Sequence, residues 1–132
     1  MITNNYLKDV LNGVHQPSDT YKVALYGASA VIDATTPAYT STGEITSTGY
    51  TAGGAVLANF RVADDGVGAA VLDFDDVIFN NCNIVCRKIL IYNASKSNKA
   101  LTFHDYGEDI GILGTGTFVV QIPSGIIRVA TA

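Results

Sequence analysis

Two histidines are the side chains of this sequence best suited to proton transfer or metal binding. His15 lies in a segment, residues 15–19, that is predicted to be a turn, and His104 precedes Asp105 in a predicted strand. Adjacent strand residues point to opposite faces of a sheet, so His104 and Asp105 are poorly placed to bind one ion. We therefore expect each histidine to be a solvent-exposed polar residue, and we expect no zinc site.

The two cysteines, Cys82 and Cys86, are separated by three residues. That spacing is not the usual zinc-knuckle spacing, and no second pair completes a tetrahedral site. In a strand, positions i and i+4 share a face but lie about 13 Å apart, which is too far for a disulfide. We expect free thiols that pack as small hydrophobic side chains, as in a reducing cytosol.

An acidic run, Asp73, Asp75 and Asp76, follows Asp64 and Asp65 by a few residues. Clustered carboxylates in loops suit calcium, and paired carboxylates can hydrolyse glycosides. The twelve-residue calcium-loop pattern is absent, however, and the chain has no tryptophan to line a sugar-binding cleft. Solvated carboxylates at strand ends are the simpler interpretation, and cation binding by the acidic run stays open.

Motifs for nucleophilic catalysis and phosphate binding are incomplete. The hydrolase elbow G-x-S-x-G is missing, since residues 27–31 (GASAV) lack its second glycine. The G-x-G at residues 114–116 lies between predicted strands instead of opening a helix. We predict that the protein is not an enzyme and has no catalytic, metal-binding or cofactor-binding residues.

The hydrophobic pattern of the first residues is helical. Four apolar residues from Leu7 to Val14 recur at i, i+3, i+4 and i+7, which predicts a helix over residues 3–14. So short a helix is marginal alone and must dock onto something. We assign residues 1–20 to an N-terminal helical arm, and we name Leu7 and Leu11 on its apolar face as candidate protein-contact residues.

From residue 21 onward, short apolar segments alternate with turn signals about every 8–12 residues. The clearest hairpin covers residues 55–74, with a turn at Asp64-Asp65-Gly66. Further turns, predicted to divide the later strands, lie at residues 80–81, 107–109 and 114–116. About eight strands result, and we predict an all-β fold in which residues 21–132 form a single antiparallel β-sandwich or jelly roll.

Residues 27–54 are rich in Ala, Ser, Thr and Gly and are predicted to form a long ordered loop, with short strands only around residues 44–46. A loop of this length is uncommon in a compact domain unless it has a role. Tyr39 and Tyr50 lie among its small residues. They are either rigid aromatic anchors for another protein or side chains that pin the loop to the core. We count both as candidate contact residues.

Composition favours a protein partner over nucleic acid or a membrane. Charged residues make up 15% of the chain and the net charge is −4, whereas ordinary soluble domains are roughly 25% charged. No basic stripe is available to follow phosphates, and no apolar run reaches the ~20 residues of a membrane span. The N-terminus lacks the basic and apolar regions of a secretory signal. We therefore expect synthesis in the cytoplasm and a homo-oligomer or a subunit of a larger assembly.

Several segments resemble a family of small structural proteins of tailed bacteriophages. Residues 21–54 (YKVALYGASAVIDATTPAYTSTGEITSTGYTAGG) resemble a KVALY strand and a Thr-rich loop ending in YTAGG. The segments Ile91–Asn93, Thr117–Pro123 and Gly125–Arg128 resemble later strands of the family, so that the similarity spans residues 21–130. The segment Phe79–Cys82 departs from the pattern, because no cysteine is expected there.

The resemblance implies a virion protein, most specifically a capsid decoration (cement) protein. Such a protein is a small β-sandwich, often a trimer, that binds and stabilises the shell of the major capsid protein. It would be made in the bacterial cytoplasm and would lie on the capsid surface, without a cofactor. The alternative is a tail, neck or fibre-base component. A second alternative is a small carbohydrate-binding or hydrolytic jelly roll, which predicts a deep cleft near His104, Asp105 or the acidic run.

Overall fold

A computed structural model of the protein describes residues 1–123 and 125–130. In this part of the chain one helix precedes seven strands. The elements are α1 (Asn4–Leu11), β1 (Tyr21–Tyr26), β2 (Ala55–Val56), β3 (Arg61–Asp64), β4 (Ala69–Asp73), β5 (Val77–Asn93), β6 (Lys99–Val120) and β7 (Ile127–Ala130). With 49% of the residues in strands and one short helix, the predicted all-β class is confirmed.

The strands form two antiparallel sheets. The first has the order β2-β1-β5-β6 and the second the order β3-β4-β7. β1 is apolar along nearly its whole length because both of its faces are covered. Val23 and Leu25 pack in the larger apolar cluster, to which β4 contributes Leu72. Ala24 and Tyr26 pack in a smaller cluster on the other face, with residues of the 27–54 segment.

β5 and β6 form one long hairpin of 17 and 22 residues. No strand therefore ends at three of the predicted turns, and that prediction is wrong. These turns lie at residues 80–81, 107–109 and 114–116. They mark bulges instead, since the pairing shifts after Phe79, after Cys82 and after Cys86 and then resumes. Gly107 and Gly114 have positive φ, so the turn-forming residues bend the paired strands without ending the pairing.

The predicted hairpin over residues 55–74 is correct at its turn and wrong at its start. β3 pairs with β4 around the turn, with Asp64 opposite Ala70. Residues 55–63 are not one strand, because β2 pairs with β1 in the other sheet. Between β2 and β3 the chain passes from one sheet to the other, and Asn59 there has a left-handed φ of 59°.

α1 is shorter than the predicted 3–14 helix, and it buries a different face. Tyr6 and Asp9 face the protein, whereas Leu7 and Leu11 are 53% and 90% exposed. The pairing of the N-terminus sets this rotation, because the backbone N–H of Thr3 donates to the Leu101 carbonyl of β6 at 2.9 Å. The assignment of residues 1–20 to a separate arm and of residues 21–132 to a β-sandwich domain stays a prediction.

Candidate interaction surface

The outer face of α1 is apolar. Leu7, Val10 and Leu11, here called the α1 ridge, are 53%, 40% and 90% exposed. Among the described residues these side chains have no place in either apolar cluster. Leu7 and Leu11, the predicted contact residues, are thus presented to solvent by a helix that is fixed at its N-terminal end.

A groove of about 320 Å³ lies beside the α1 ridge. Val10 and His15 line it from the helical side, and Val62, Leu72 and Val129 line it from the second sheet. Val62 and Val129 are 62% and 45% exposed, so the groove, here called the α1 groove, is open. Ridge and groove together form an apolar surface of the kind that marks protein contacts on soluble proteins.

The 27–54 loop covers the outer face of the first sheet. Ala30 and Ile32 of the loop are buried in the smaller apolar cluster. The backbone N–H of Ile45 donates to the Leu25 carbonyl at 3.1 Å. The loop therefore pairs with the part of the β1 edge that β2 leaves unpaired. Glu44 forms an isolated bridge with Tyr26, and no named strand lies in residues 27–54. The long loop is therefore present as predicted, and the short strand predicted around residues 44–46 is reduced to this single bridge.

The carboxylate of Glu44 holds the two tyrosines of the loop. The Tyr39 hydroxyl donates to Oε1 at 2.6 Å, and the Tyr50 hydroxyl donates to Oε2 at 2.5 Å. The backbone N–H of Gly53 also donates to Oε2, at 2.8 Å. These hydrogen bonds, here called the Glu44 clip, lie within the loop. The loop is pinned to the core, as one of the two interpretations predicted, by the hydrogen bond from the Leu25 N–H to the Tyr50 hydroxyl at 3.1 Å and by the stacking of Tyr39 on Tyr92. A contact of either ring with another protein stays a prediction.

Burial and the Glu44 carboxylate together keep these hydroxyls protonated. They raise the pKa of Tyr39 to about 12 and the pKa of Tyr50 further, with burial the larger cause for both. The Tyr39 ring stacks on Tyr92 with 4.9 Å between ring centroids. The tyrosines therefore act as hydrogen-bond donors at every physiological pH and give the loop one conformation.

The carboxylates of the acidic run form ion pairs and hydrogen bonds within the protein. Arg61 binds Asp73 at 2.6 Å and Asp75 at 2.7 Å, and the Asp76 carboxylate accepts a hydrogen bond from the backbone N–H of Ile122 at 2.7 Å. Arg61 is the largest cause of the lowered pKa of Asp75. Within residues 1–123 and 125–130, no group of three or more His, Cys, Asp or Glu side chains could hold a metal ion.

Cys82 and Cys86 are free and buried, as predicted. Burial raises the pKa of the Cys86 thiol to about 11, so the reactive thiolate is scarce at neutral pH. The two side chains belong to the larger apolar cluster, where they pack as small hydrophobic groups.

His104 is exposed, as predicted, and lines a second groove of about 380 Å³. Its ring meets Tyr106 edge-on at 4.6 Å between centroids. Gln121 and the hydroxyl of Tyr106 are the other polar lining groups, and the remaining lining side chains, such as Ile110 and Val119, are apolar. A cleft near His104 was the structural expectation of the hydrolytic or carbohydrate-binding alternative, and this groove occupies that place.

His15 is not exposed, and that prediction is wrong. Only 6% of its side chain is accessible, and it lies against Tyr6 of α1 with 5.5 Å between ring centroids. Its polar neighbours include Asn93, 78 residues away in the chain. No local pattern could have indicated this burial, since the contact depends on how β5 lies relative to α1.

No known family model, no curated protein and no solved structure matches this chain. Among the described residues, no helix is long and apolar enough to cross a membrane.

Proposed function

We propose that this protein is a structural component of a tailed-bacteriophage virion, most specifically a capsid decoration protein that binds and stabilises the major capsid protein shell. The observation that carries the proposal is the exposed α1 ridge beside the open α1 groove, on a chain with only 15% charged residues. The sequence resemblance over residues 21–130 supports the same role. The protein is proposed to act without catalysis or a cofactor.

A decoration protein needs surfaces that bind neighbours without large rearrangement. The α1 ridge is one such surface, since side chains such as Leu11 need little ordering to be covered. The 27–54 loop is a second, because the Glu44 clip orders it before any partner arrives. We propose a homotrimer with a sandwich or jelly-roll architecture as the unit that sits on the capsid surface.

Two other functions stay as alternatives. A tail, neck or fibre-base component would use the same surfaces on different virion partners. A carbohydrate-binding or hydrolytic protein is favoured by one observation, the groove beside His104. That groove offers three polar side chains among apolar ones, which is a sparse set for binding a sugar.

Substitution of Leu11 by lysine should weaken binding to expanded, mature capsids of the encoding phage at least tenfold in a co-sedimentation assay. A charge placed in an apolar contact must be desolvated, and a tenfold loss corresponds to about 1.4 kcal/mol. Because Leu11 is 90% exposed, the free energy of unfolding should change by no more than about 0.5 kcal/mol.

Leu113 provides the matched control, since it is 76% exposed on a bulge of β6 outside the α1 ridge. Leu113→Lys should sediment with capsids as the unaltered protein does. Failure of the unaltered protein to sediment with capsids would reject the decoration role. Equal binding by Leu11→Lys and Leu113→Lys would remove the α1 ridge from the interface.

A further inference from the structure

A buried polar cluster lies beneath α1, separate from the α1 ridge. Asp9 of α1 is 2% exposed and Asn93 of β5 is fully buried. Between them are His15 and Asp19, whose side chains are 6% and 7% accessible. Buried polar groups are usually hydrogen-bonded, so any group without a partner requires a reason.

Hydrogen bonding around Asn93 defines the protonation state of His15. The Asn93 carbonyl oxygen accepts from the Ser95 N–H at 3.0 Å, which fixes the orientation of the amide. The Asn93 amide nitrogen then lies 2.8 Å from Asp19 Oδ2 and 3.0 Å from His15 Nδ1. Since that nitrogen only donates, Nδ1 must accept, and it carries no proton.

Neutral His15 therefore carries its proton on Nε2, which faces Asp9. The distance from Nε2 to Asp9 Oδ2 is 3.7 Å, and both atoms are buried without a hydrogen-bond partner among the described residues. A second proton would have to enter at Nδ1, where it would point at the Asn93 amide hydrogens. Protonation of His15 thus conflicts with the Asn93 contact.

The charges around His15 are already balanced. Lys96 binds Asp19 at 2.7 Å, and Lys99 lies 3.7 Å from Asp9. The other titratable groups facing the ring are the hydroxyl-bearing Tyr6 and Tyr21. In the part of the chain that the structure describes, these two carboxylates and two ammonium groups leave no unmatched negative charge for an imidazolium. Burial is the largest cause of the lowered pKa of His15, ahead of the opposing attraction of Asp9 and Asp19.

We propose that His15 is an acid-sensitive latch that holds α1 on the sheet at neutral pH and releases it on acidification. The released segment would include Met1 and Thr3, whose backbone bonds to Phe103 and Leu101 now cover the edge of β6. Acidification would thereby uncover this part of the β6 edge. The proposal does not rest on the virion role.

The lowered pKa of His15 determines the direction in which pH changes the stability of the docked α1. Above the pKa of a free histidine, about 6.5, His15 is neutral whether α1 is docked or released, and the latch contributes fully. As the pH falls below that value, the released form takes up a proton that the docked form excludes. Asp19, whose pKa is lowered to about 2, stays ionised throughout this range and keeps its contacts.

Amide hydrogen exchange of α1, compared at pH 7.5 and pH 5.0 after correction for intrinsic exchange rates, tests the latch. Each pH unit below the free histidine pKa can favour release up to tenfold, so the roughly 1.5 units between that pKa and pH 5.0 set an upper limit of about thirtyfold. We expect α1 to open at least about tenfold more often at the lower pH. The amides of β1 should show no such change. Equal opening of α1 at the two pH values would overturn the proposal.

The two histidines of the chain supply matched variants. His15→Gln should abolish the pH dependence of α1 opening, and His104→Gln should retain it. The measured quantity is a ratio between two pH values, so a constant loss of helix stability in His15→Gln does not affect the result. A full pH response in His15→Gln would contradict the latch.

Discussion

Replacement of Gly54 by alanine should lower the free energy of unfolding by more than about 3 kcal/mol or prevent folding. A Cβ at this position would lie 1.8 Å from the carbonyl oxygen of Val23, and Gly54 has a φ of +84°. Val23 belongs to β1, which is held between β2 and β5. Neither backbone can move away without breaking a pairing of the central strand.

Gly66→Ala is the control that measures the cost of backbone strain without a steric clash. Gly66 has nearly the same φ, +80°, but no atom of residues 1–123 and 125–130 lies within 4 Å of its Cβ position. Its substitution should cost only the strain of a left-handed alanine, about 1–2 kcal/mol. Urea denaturation of both variants gives the comparison, and equal losses would show that the end of the loop does not press against β1.

Replacement of Glu44 by alanine should lower the free energy of unfolding by about 3 kcal/mol, because three donors lose their acceptor. The donors are the hydroxyls of Tyr39 and Tyr50 and the backbone N–H of Gly53. Tyr50 would keep one bond, since its hydroxyl oxygen accepts from the Leu25 N–H at 3.1 Å. The loop should also become more susceptible to proteolysis near its tyrosines.

Glu108 is the other glutamate of the chain and is exposed, so Glu108→Ala is the matched control. It should change the free energy of unfolding by no more than about 0.5 kcal/mol. Denaturant titration and limited proteolysis of the two variants give the result. If Glu44→Ala matched Glu108→Ala in both measurements, the Glu44 clip would have no part in ordering the loop.

Sequence patterns predicted the elements whose signals are local. The apolar segment of β1 and the turn after Asp64 appear in the structure where the residues indicated them. The sequence predicts strand ends where β6 has bulges, because Gly107 and Gly114 indicate a left-handed bend in either case. Only the partner strand decides whether pairing resumes after such a bend.

Local sequence patterns cannot predict which face of α1 is buried, for a related reason. Its sequence carries apolar side chains on one face and Tyr6 with Asp9 on another, and either face could be buried. The N-terminal pairing with β6 decides between them, and that pairing joins residues such as Ile2 and Thr102, which are far apart in sequence.

The candidate surface was predicted in part. The position of aromatic residues among small ones indicates Tyr39 and Tyr50 as contact residues, but it does not show that both donate to Glu44. One signal was available, since Glu44 is the only carboxylate between Asp33 and Asp64. A carboxylate far in sequence from any other charge is costly to bury unless it is hydrogen-bonded, so its presence indicates nearby hydrogen-bond donors.

The position of this chain on the particle tests the central proposal most directly. Cryo-microscopy of virions of the encoding phage should show it at many copies on the capsid surface, with α1 against the major capsid protein and Leu11 covered. A ring at the portal vertex or a place on the tail would contradict the decoration role in favour of the tail or neck alternative. Absence of the chain from purified particles would contradict the virion role altogether.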